Sequence, residues 1–325
     1  MRDPVFVLAG LALLFLGGDF LVRGAVSLAK RLEIPPLLIA ITVVAFGTSV
    51  PELIVSLDAA LEGAPAIAIG NVVGSNIANI LLVLGLSAIL APIVIEGIPA
   101  QRNTLYMVLA SLIFVGVAWG GEVVRWEGIV LFLLLLTFLF ASYRQARRDE
   151  AAQVTYQEEV EQFGADSHSP MVLAAFIVGG LAGLVIGASL LVEGAVEIAR
   201  SLGVSEAVIG LTMVAFGTSL PELVTSLVAI ARKHGDVAIG NILGSNLFNI
   251  LGVLGITAIV IDVPVPDQVL SFDIWIMLGA AVLLIPFALH WISMSRPIGI
   301  LLFVAYIAYV GAQFGVDLPG AAAIG

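Results

Sequence analysis

The sequence predicts an all-α polytopic membrane protein: ten transmembrane helices, arranged as two inverted-topology repeats of five. Three observations predict it. The composition is 60% hydrophobic and only 11% charged, with a mean hydropathy of +1.14, whereas water-soluble domains carry about 25% charged residues. The apolar residues run continuously, as in "GIVLFLLLLTFLFASY", and lack the two-residue alternation of a membrane barrel strand. Finally, the chain repeats itself: residues 17–85 align with 187–255 at a constant offset of 170, without a gap.

Spans of roughly 20 residues cross a bilayer. Five candidates fall at 4–28, 34–61, 67–91, 104–120 and 126–143. The polar stretch 144–169, "RQARRDEAAQVTYQEEVEQFGADSHS", follows, and five more spans fall at 171–200, 204–231, 237–261, 269–290 and 297–316. The expected division is a first repeat at 1–143, a cytoplasmic linker at 144–169 and a second repeat at 170–325. The first apolar run has no basic segment before it and no clear small-residue cleavage site, so it reads as a retained span. The linker is too short for a folded regulatory domain and lacks the D-x-[DN]-x-[DN]-G calcium-loop pattern. Its acidic run "EEVEQ" reads most simply as a solvated face or a short amphipathic linker. With no cysteine in the chain, disulfides and thiolate metal sites are excluded.

Basic residues set orientation. An outside N-terminus puts Lys30, Arg31, Arg102, Arg144, Arg147, Arg148, Arg232, Lys233 and Arg296 on the cytoplasmic side, and leaves Arg2, Arg125 and Arg200 outside. Both termini are therefore expected outside, with the linker in the cytoplasm. Five spans per repeat is an odd number, so the second copy enters from the opposite face. Inverted repeats of this kind are typical of secondary transporters, whose sites lie near the midplane where the copies meet.

The duplicated phrase "AFGTSVPEL" (45–53) and "AFGTSLPEL" (215–223) places Glu52 and Glu222 deep in apolar spans. A mid-bilayer acid costs on the order of 3 kcal/mol on insertion scales, and is tolerated when it faces the interior and meets a cation. Pro51 and Pro221 lack an N–H, so the carbonyls of Gly47 and Gly217 lose their helical partners. A break or unwound turn is expected, with the carbonyls of Ala45 through Thr48, and of Ala215 through Thr218, free to turn toward a cavity. Ser49, Glu52 and Ser56 share one helical face, as do Ser219, Glu222 and Ser226.

The third span of each half adds a second polar face: Asn71, Ser75 and Asn79, repeated as Asn241, Ser245 and Asn249. Gly70, Gly74 and Ala78 form a neighbouring small-residue row suited to close helix approach. Asn71 and Asn76 read equally well as interhelical glue or as site residues; Ser75 and Asn79 are favoured for the site. His168, His234 and His290 fall in loops or at span ends, so no soft-metal cluster is expected. Carboxylates, hydroxyls, amides and carbonyls make an all-oxygen site for hard cations. Calcium takes roughly six to eight such oxygens, two glutamates balance its charge, and Na⁺ can use the same ligands.

The paired "GTSxPEL" and "GNxxGSNxxNIL" elements resemble the two alpha-repeats of the sodium/calcium exchanger branch of the cation/calcium exchanger superfamily. The resemblance extends, through the ten-span organisation, to nearly the whole chain. It implies an antiporter that exchanges several Na⁺ for each Ca²⁺ by alternating access, not an enzyme, and a cell-membrane location. It implies Ca²⁺ and Na⁺ as transported substrates, no cofactor, no nucleic acid and no obligatory protein partner. The implied metal ligands are Glu52, Glu222, Asn79, Asn249, Ser49, Ser219, Ser75 and Ser245, joined by Thr48, Thr218, Ala45 and Ala215 through backbone or hydroxyl oxygens. Some relatives place Asp at one of the Asn79/Asn249 positions; this chain has Asn at both, which would leave all the site's charge on Glu52 and Glu222. The long first spans of the two halves are expected to slide as a pair across the other eight. Asp19 and Arg23, four apart, are placed for a local ion pair, and Asp58 stays outside the site. The rivals are a proton-coupled or K⁺-dependent exchanger of Ca²⁺ or another divalent cation, and, from another class, a cation channel built on paired carboxylates. A membrane enzyme is disfavoured, since no nucleophile–base pair or nucleotide motif is visible.

Overall fold

The computed structural model describes residues 2–93, 97–146, 169–201 and 215–316. Most of the expected linker, and the start of the expected span 204–231, lie outside the described residues. Among the described residues, ten apolar helices stand in order: α1 (Pro4–Leu32), α2 (Pro36–Leu61), α3 (Ala66–Leu90), α4 (Pro99–Ala118), α5 (Arg125–Gln145), α6 (Pro170–Ser201), the shorter α7 (Leu220–Ala231), α8 (Gly235–Val260), α9 (Val269–Ala288) and α10 (Arg296–Gln313). The all-helical membrane architecture follows the sequence expectation. A helix satisfies its own backbone polar groups in hydrocarbon, where no water can.

The helices α2, α3, α7 and α8 form the centre. Around it, α5 crosses α8 and α10 crosses α3, each at a pair of facing glycines: a Cβ on Gly128 would lie 2.7 Å from the Gly255 carbonyl oxygen, and one on Gly299 would lie 2.7 Å from that of Gly85. Two short backbone pairings betray the inversion. The antiparallel strands β1 (Glu122–Val123) and β2 (Val263–Pro264) join the loops that follow α4 and α8. An isolated bridge between Ile93 and Met294 joins the loops that follow α3 and α9. Because α3 and α4 end on opposite faces, the two halves make the same kind of contact at opposite ends of the bundle. Their helix ends match too. The turn after α2 places Gly63 at φ 86°, and the turn after α7 places Lys233 at φ 64°; both are left-handed caps, natural for glycine and strained for lysine.

The long helices α1 and α6 pack together along most of their length. A Cβ on Gly17 would sit 2.7 Å from both the Gly180 oxygen and the Leu184 nitrogen, and one on Gly187 would sit 2.9 Å from the Gly10 oxygen. Backbone meets backbone there. Gly17→Ala is therefore expected to destabilise the fold by about 2 kcal/mol, within the usual range for overpacking, read as a lower thermal midpoint in detergent. Gly116→Ala, with nothing within 4 Å among the described residues, should leave the midpoint unchanged or raise it. Equal midpoints for the two variants would show that the α1–α6 contact is loose.

Candidate functional site

The proline-bearing helices bend at one residue. In α2 the helix continues through Thr48, Ser49 takes φ −88° and ψ 4°, and a new helix opens at Val50 with Pro51 in its first turn. Ser219 does the same at φ −83° and ψ 0° before α7, preceded by the helical turn Ala215–Thr218. Of the expected break or unwound turn, the structure shows the break, confined to one residue. Proline removes only one donor, and the N–H groups upstream keep their partners: Ser49 N–H still donates to the Ala45 oxygen at 3.0 Å. That carbonyl also accepts from Thr48 Oγ1 at 3.3 Å, so it is already engaged.

The break aims one face of each half-helix inward. Ser49, Glu52 and Ser56 are buried on α2, and Ser219, Glu222 and Ser226 are buried beside and on α7. Asparagines from the third helix of each half brace them. Asn71 Nδ2 donates to the Glu52 backbone oxygen at 3.1 Å and to Ser56 Oγ at 3.0 Å. Its counterpart Asn241 donates to the Glu222 backbone oxygen at 3.3 Å and to Ser226 Oγ at 3.2 Å. These asparagines hold the glutamate-bearing helices in place.

The halves then meet. Ser49 Oγ donates to Glu222 Oε1 at 3.4 Å across the repeat boundary, and Ser245 Oγ reaches the same oxygen at 3.5 Å. Thr48 Oγ1 donates to Asn241 Oδ1 at 3.2 Å and lies 3.4 Å from Ser245 Oγ. The two carboxylates come from opposite halves, and both side chains are almost wholly buried, at 1% exposure. Yet Glu52 Oε2, Glu222 Oε2, Asn79 Oδ1, Asn249 Oδ1, Ser219 Oγ and Thr218 Oγ1 have no hydrogen-bond partner among the described residues. Buried acceptors are nearly always partnered, and these unpartnered oxygens, carried by α2, α3, α8 and the residues from Thr218 into α7, fit a bound cation; Ser87, Asn103, Ser142 and Thr225 also keep unpartnered oxygens. Ser75 is buried on the same helix as Asn79. Of Ala215 only its place at the start of a helical turn is described.

The third helices distort at this level. Asn79–Leu84 of α3 and Phe248–Val253 of α8 are wide, π-type turns, a feature frequent at functional sites. They set Asn79 and Asn249 at the point where the ladder changes register. No residue type announces such a turn, and the sequence pattern does not reveal it. Nor does the pattern reveal a long-range ion pair. Asp19 binds Arg23 at 2.9 Å as expected, and also binds Arg232 at the end of α7, tying α1 to the other half. Asp58 is not among the residues that gather at the site. Asp273 in α9 accepts from Tyr309 Oη at 3.0 Å and from Gln313, a separate and satisfied polar cluster.

A family model described as sodium/calcium exchanger protein matches residues 3–144 and 172–315. Inner membrane protein YrbG of Escherichia coli is 36% identical over 317 residues, spanning 95% of each chain. Sodium/calcium exchanger MaX1 of Methanosarcina acetivorans is 31% identical over 348 residues, covering 95% of this chain and 98% of its own. Among solved structures, the sodium-calcium exchanger NCX_Mj soaked with zero Na⁺ and Ca²⁺ matches at a TM-score of 0.81 and 33% identity, over 96% of this chain and 99% of that one.

Proposed function

Because the chain belongs to the sodium/calcium exchanger protein family, we propose that it exchanges Na⁺ for Ca²⁺ across the membrane, binding both ions near the midplane between Glu52 and Glu222. One observation carries the reading: two buried carboxylates, one from each half, each keep an oxygen without a partner among the described residues, and Ser49, one turn before Glu52, reaches Glu222 across the repeat boundary. Two negative charges neutralise one Ca²⁺. Glu52, Glu222, Asn79 and Asn249 would supply side-chain oxygens, with Ser49, Ser219, Ser75, Ser245, Thr48 and Thr218 giving hydroxyls. Ala45 and Ala215 contribute backbone oxygens, and Ala45 must shed a hydrogen bond to do so. Sites for Na⁺ and Ca²⁺ that share ligands cannot fill independently, so one ion displaces the other. Alternating access then turns competition into exchange, since the loaded site opens to one face at a time. The basic-residue pattern supports termini outside and the 144–169 segment in the cytoplasm of a cell membrane.

Reconstituted protein is expected to take up Ca²⁺ into liposomes loaded with Na⁺ and diluted into Na⁺-free medium. Imposed K⁺ or pH gradients alone should drive little uptake. Uptake driven by the pH gradient instead would replace this reading with a proton-coupled exchanger, and a strict need for K⁺ would identify a K⁺-dependent one. Large single-channel currents without a requirement for the opposing ion would indicate a channel.

A further inference from the structure

The sequence writes one buried polar chain twice. Asn79, Asn246 and Met107 have identical residues at the equivalent positions of the other half: Asn249, Asn76 and Met277, each 170 residues away. The structure closes only one copy. Asn79 Nδ2 donates to Asn246 Oδ1 at 3.1 Å, and Asn246 Nδ2 donates to Met107 Sδ at 3.4 Å. In the other copy Asn249 Nδ2, Asn249 Oδ1 and Asn76 Oδ1 have no partner among the described residues. Asn76 Nδ2 turns back along its own helix to the Val72 oxygen at 2.7 Å. Every member of both chains is buried.

The closed copy has a direct chemical consequence. An amide can meet a cation only through its oxygen; its nitrogen carries two donors. By accepting from Asn79 Nδ2, Asn246 fixes which way that amide lies, and Asn79 Oδ1 is left unpartnered on its other side. Asn246 acts through Asn79, as outer partners orient metal ligands generally. Among the described residues, no such partner holds Asn249 in this state.

We propose that Asn246 and Asn76 are alternating positioning residues: Asn246 orients Asn79 in the state seen here, and Asn76, backed by Met277, orients Asn249 in the state open to the opposite face. The inference rests on the exchange reading above. It follows from inverted repeats, in which the access states are related by the two halves trading conformations, so a contact made by one half in one state is made by its counterpart in the other. A second asymmetry runs the same way: Ser49 Oγ reaches Glu222, while the equivalent Ser219 Oγ has no partner among the described residues. One amide bridge opens as the other closes. The number of buried bonds stays constant, which keeps the two states close in energy, as a cycling carrier requires.

The test measures the half-saturating Ca²⁺ concentration separately at each face, in uniformly oriented proteoliposomes driven by a Na⁺ gradient. Asn246→Leu should raise it about fivefold to tenfold, the loss expected for one oriented hydrogen bond, at one face only, with the maximal rate changed much less. Asn76→Leu should do the same at the opposite face. Asn246→Asp and Asn76→Asp, which retain an acceptor, should not raise it. If a leucine variant is not recovered folded, Asn246→Ser and Asn76→Ser, too short to bridge, carry the same expectation. Equal effects at both faces, the same face for both positions, a change in maximal rate alone, or weakening by the Asp variants would each overturn the proposal while leaving exchange intact. A wild-type protein that fails to exchange Na⁺ for Ca²⁺ would instead overturn the exchange reading, and this proposal with it.

Discussion

Glu52→Gln and Glu222→Gln are each expected to lower Na⁺-driven Ca²⁺ uptake by at least about 100-fold, a loss of roughly 2.7 kcal/mol, without unfolding the protein. Glutamine keeps one oxygen at the site but removes one of the two charges that offset Ca²⁺. A single charge pair at 4 Å contributes about 4 kcal/mol at an effective dielectric near 20, and a divalent ion raises that figure, so 100-fold is a floor. The amide nitrogen adds a donor that has no acceptor role to offer a cation. Folding should survive because glutamine matches glutamate closely in size and carries no charge that burial would penalise. The thermal midpoint of each variant in chelator should equal or exceed that of the wild type. Added Ca²⁺ should raise the wild-type midpoint by mass action and leave the variants' unchanged. Glu222→Gln also disturbs the hydrogen bonds from Ser49 and Ser245, so its effect on transport should be the larger. Uptake within a few-fold of wild type in either variant would remove that glutamate from the ion's coordination.

These residues were legible in the sequence because the physics that places them is local or periodic. A buried acid in an apolar span is conspicuous, and the i, i+3, i+7 spacing of Ser49, Glu52 and Ser56 puts all three on the face that the structure buries. The duplication did the rest, since an odd number of spans per copy dictates inversion. Other features had no local signal. Asp19 and Arg23 are one helical turn apart and could be paired by inspection, whereas Arg232 reaches Asp19 from across the fold. The wide turns at Asn79 and Phe248 carry no residue type that marks them in the sequence. Pro51 signals a break but not its extent, because a missing donor at one position leaves the neighbouring ladder intact. Nor could two nearly identical repeats disclose that Asn79 is held and Asn249 is not. That difference belongs to one state of the molecule, and the sequence describes both.

Asn249→Asp is expected to move the potential-dependent step of the cycle. On the proposed reading, amides at both Asn79 and Asn249 leave the site's fixed charge on Glu52 and Glu222, and a bound Ca²⁺ would cancel it. The Ca²⁺-loaded site then crosses without net charge, and Ca²⁺/Ca²⁺ exchange in the wild type should be indifferent to membrane potential. Any Na⁺ beyond two makes the Na⁺-loaded site positive, so that half of the cycle carries the current. An aspartate in place of Asn249 adds a third negative charge in a position that is fully buried and has no ion-pair partner among the described residues. It fits sterically, being nearly isosteric with asparagine. The Ca²⁺-loaded site of the variant is then anionic. An inside-negative potential should oppose its inward movement, by at most about 2.3 kcal/mol or 50-fold per 100 mV for a charge crossing the whole field. Lowering the pH should reverse the effect, because protonating the introduced carboxylate restores a neutral side chain and the wild-type charge count; raising the pH should strengthen it. Isotopic Ca²⁺/Ca²⁺ exchange in liposomes clamped at opposite potentials reads this directly. If the variant stays as indifferent to potential as the wild type at alkaline pH, then the fixed charge is not confined to the two glutamates, and a further group must titrate as the ion crosses.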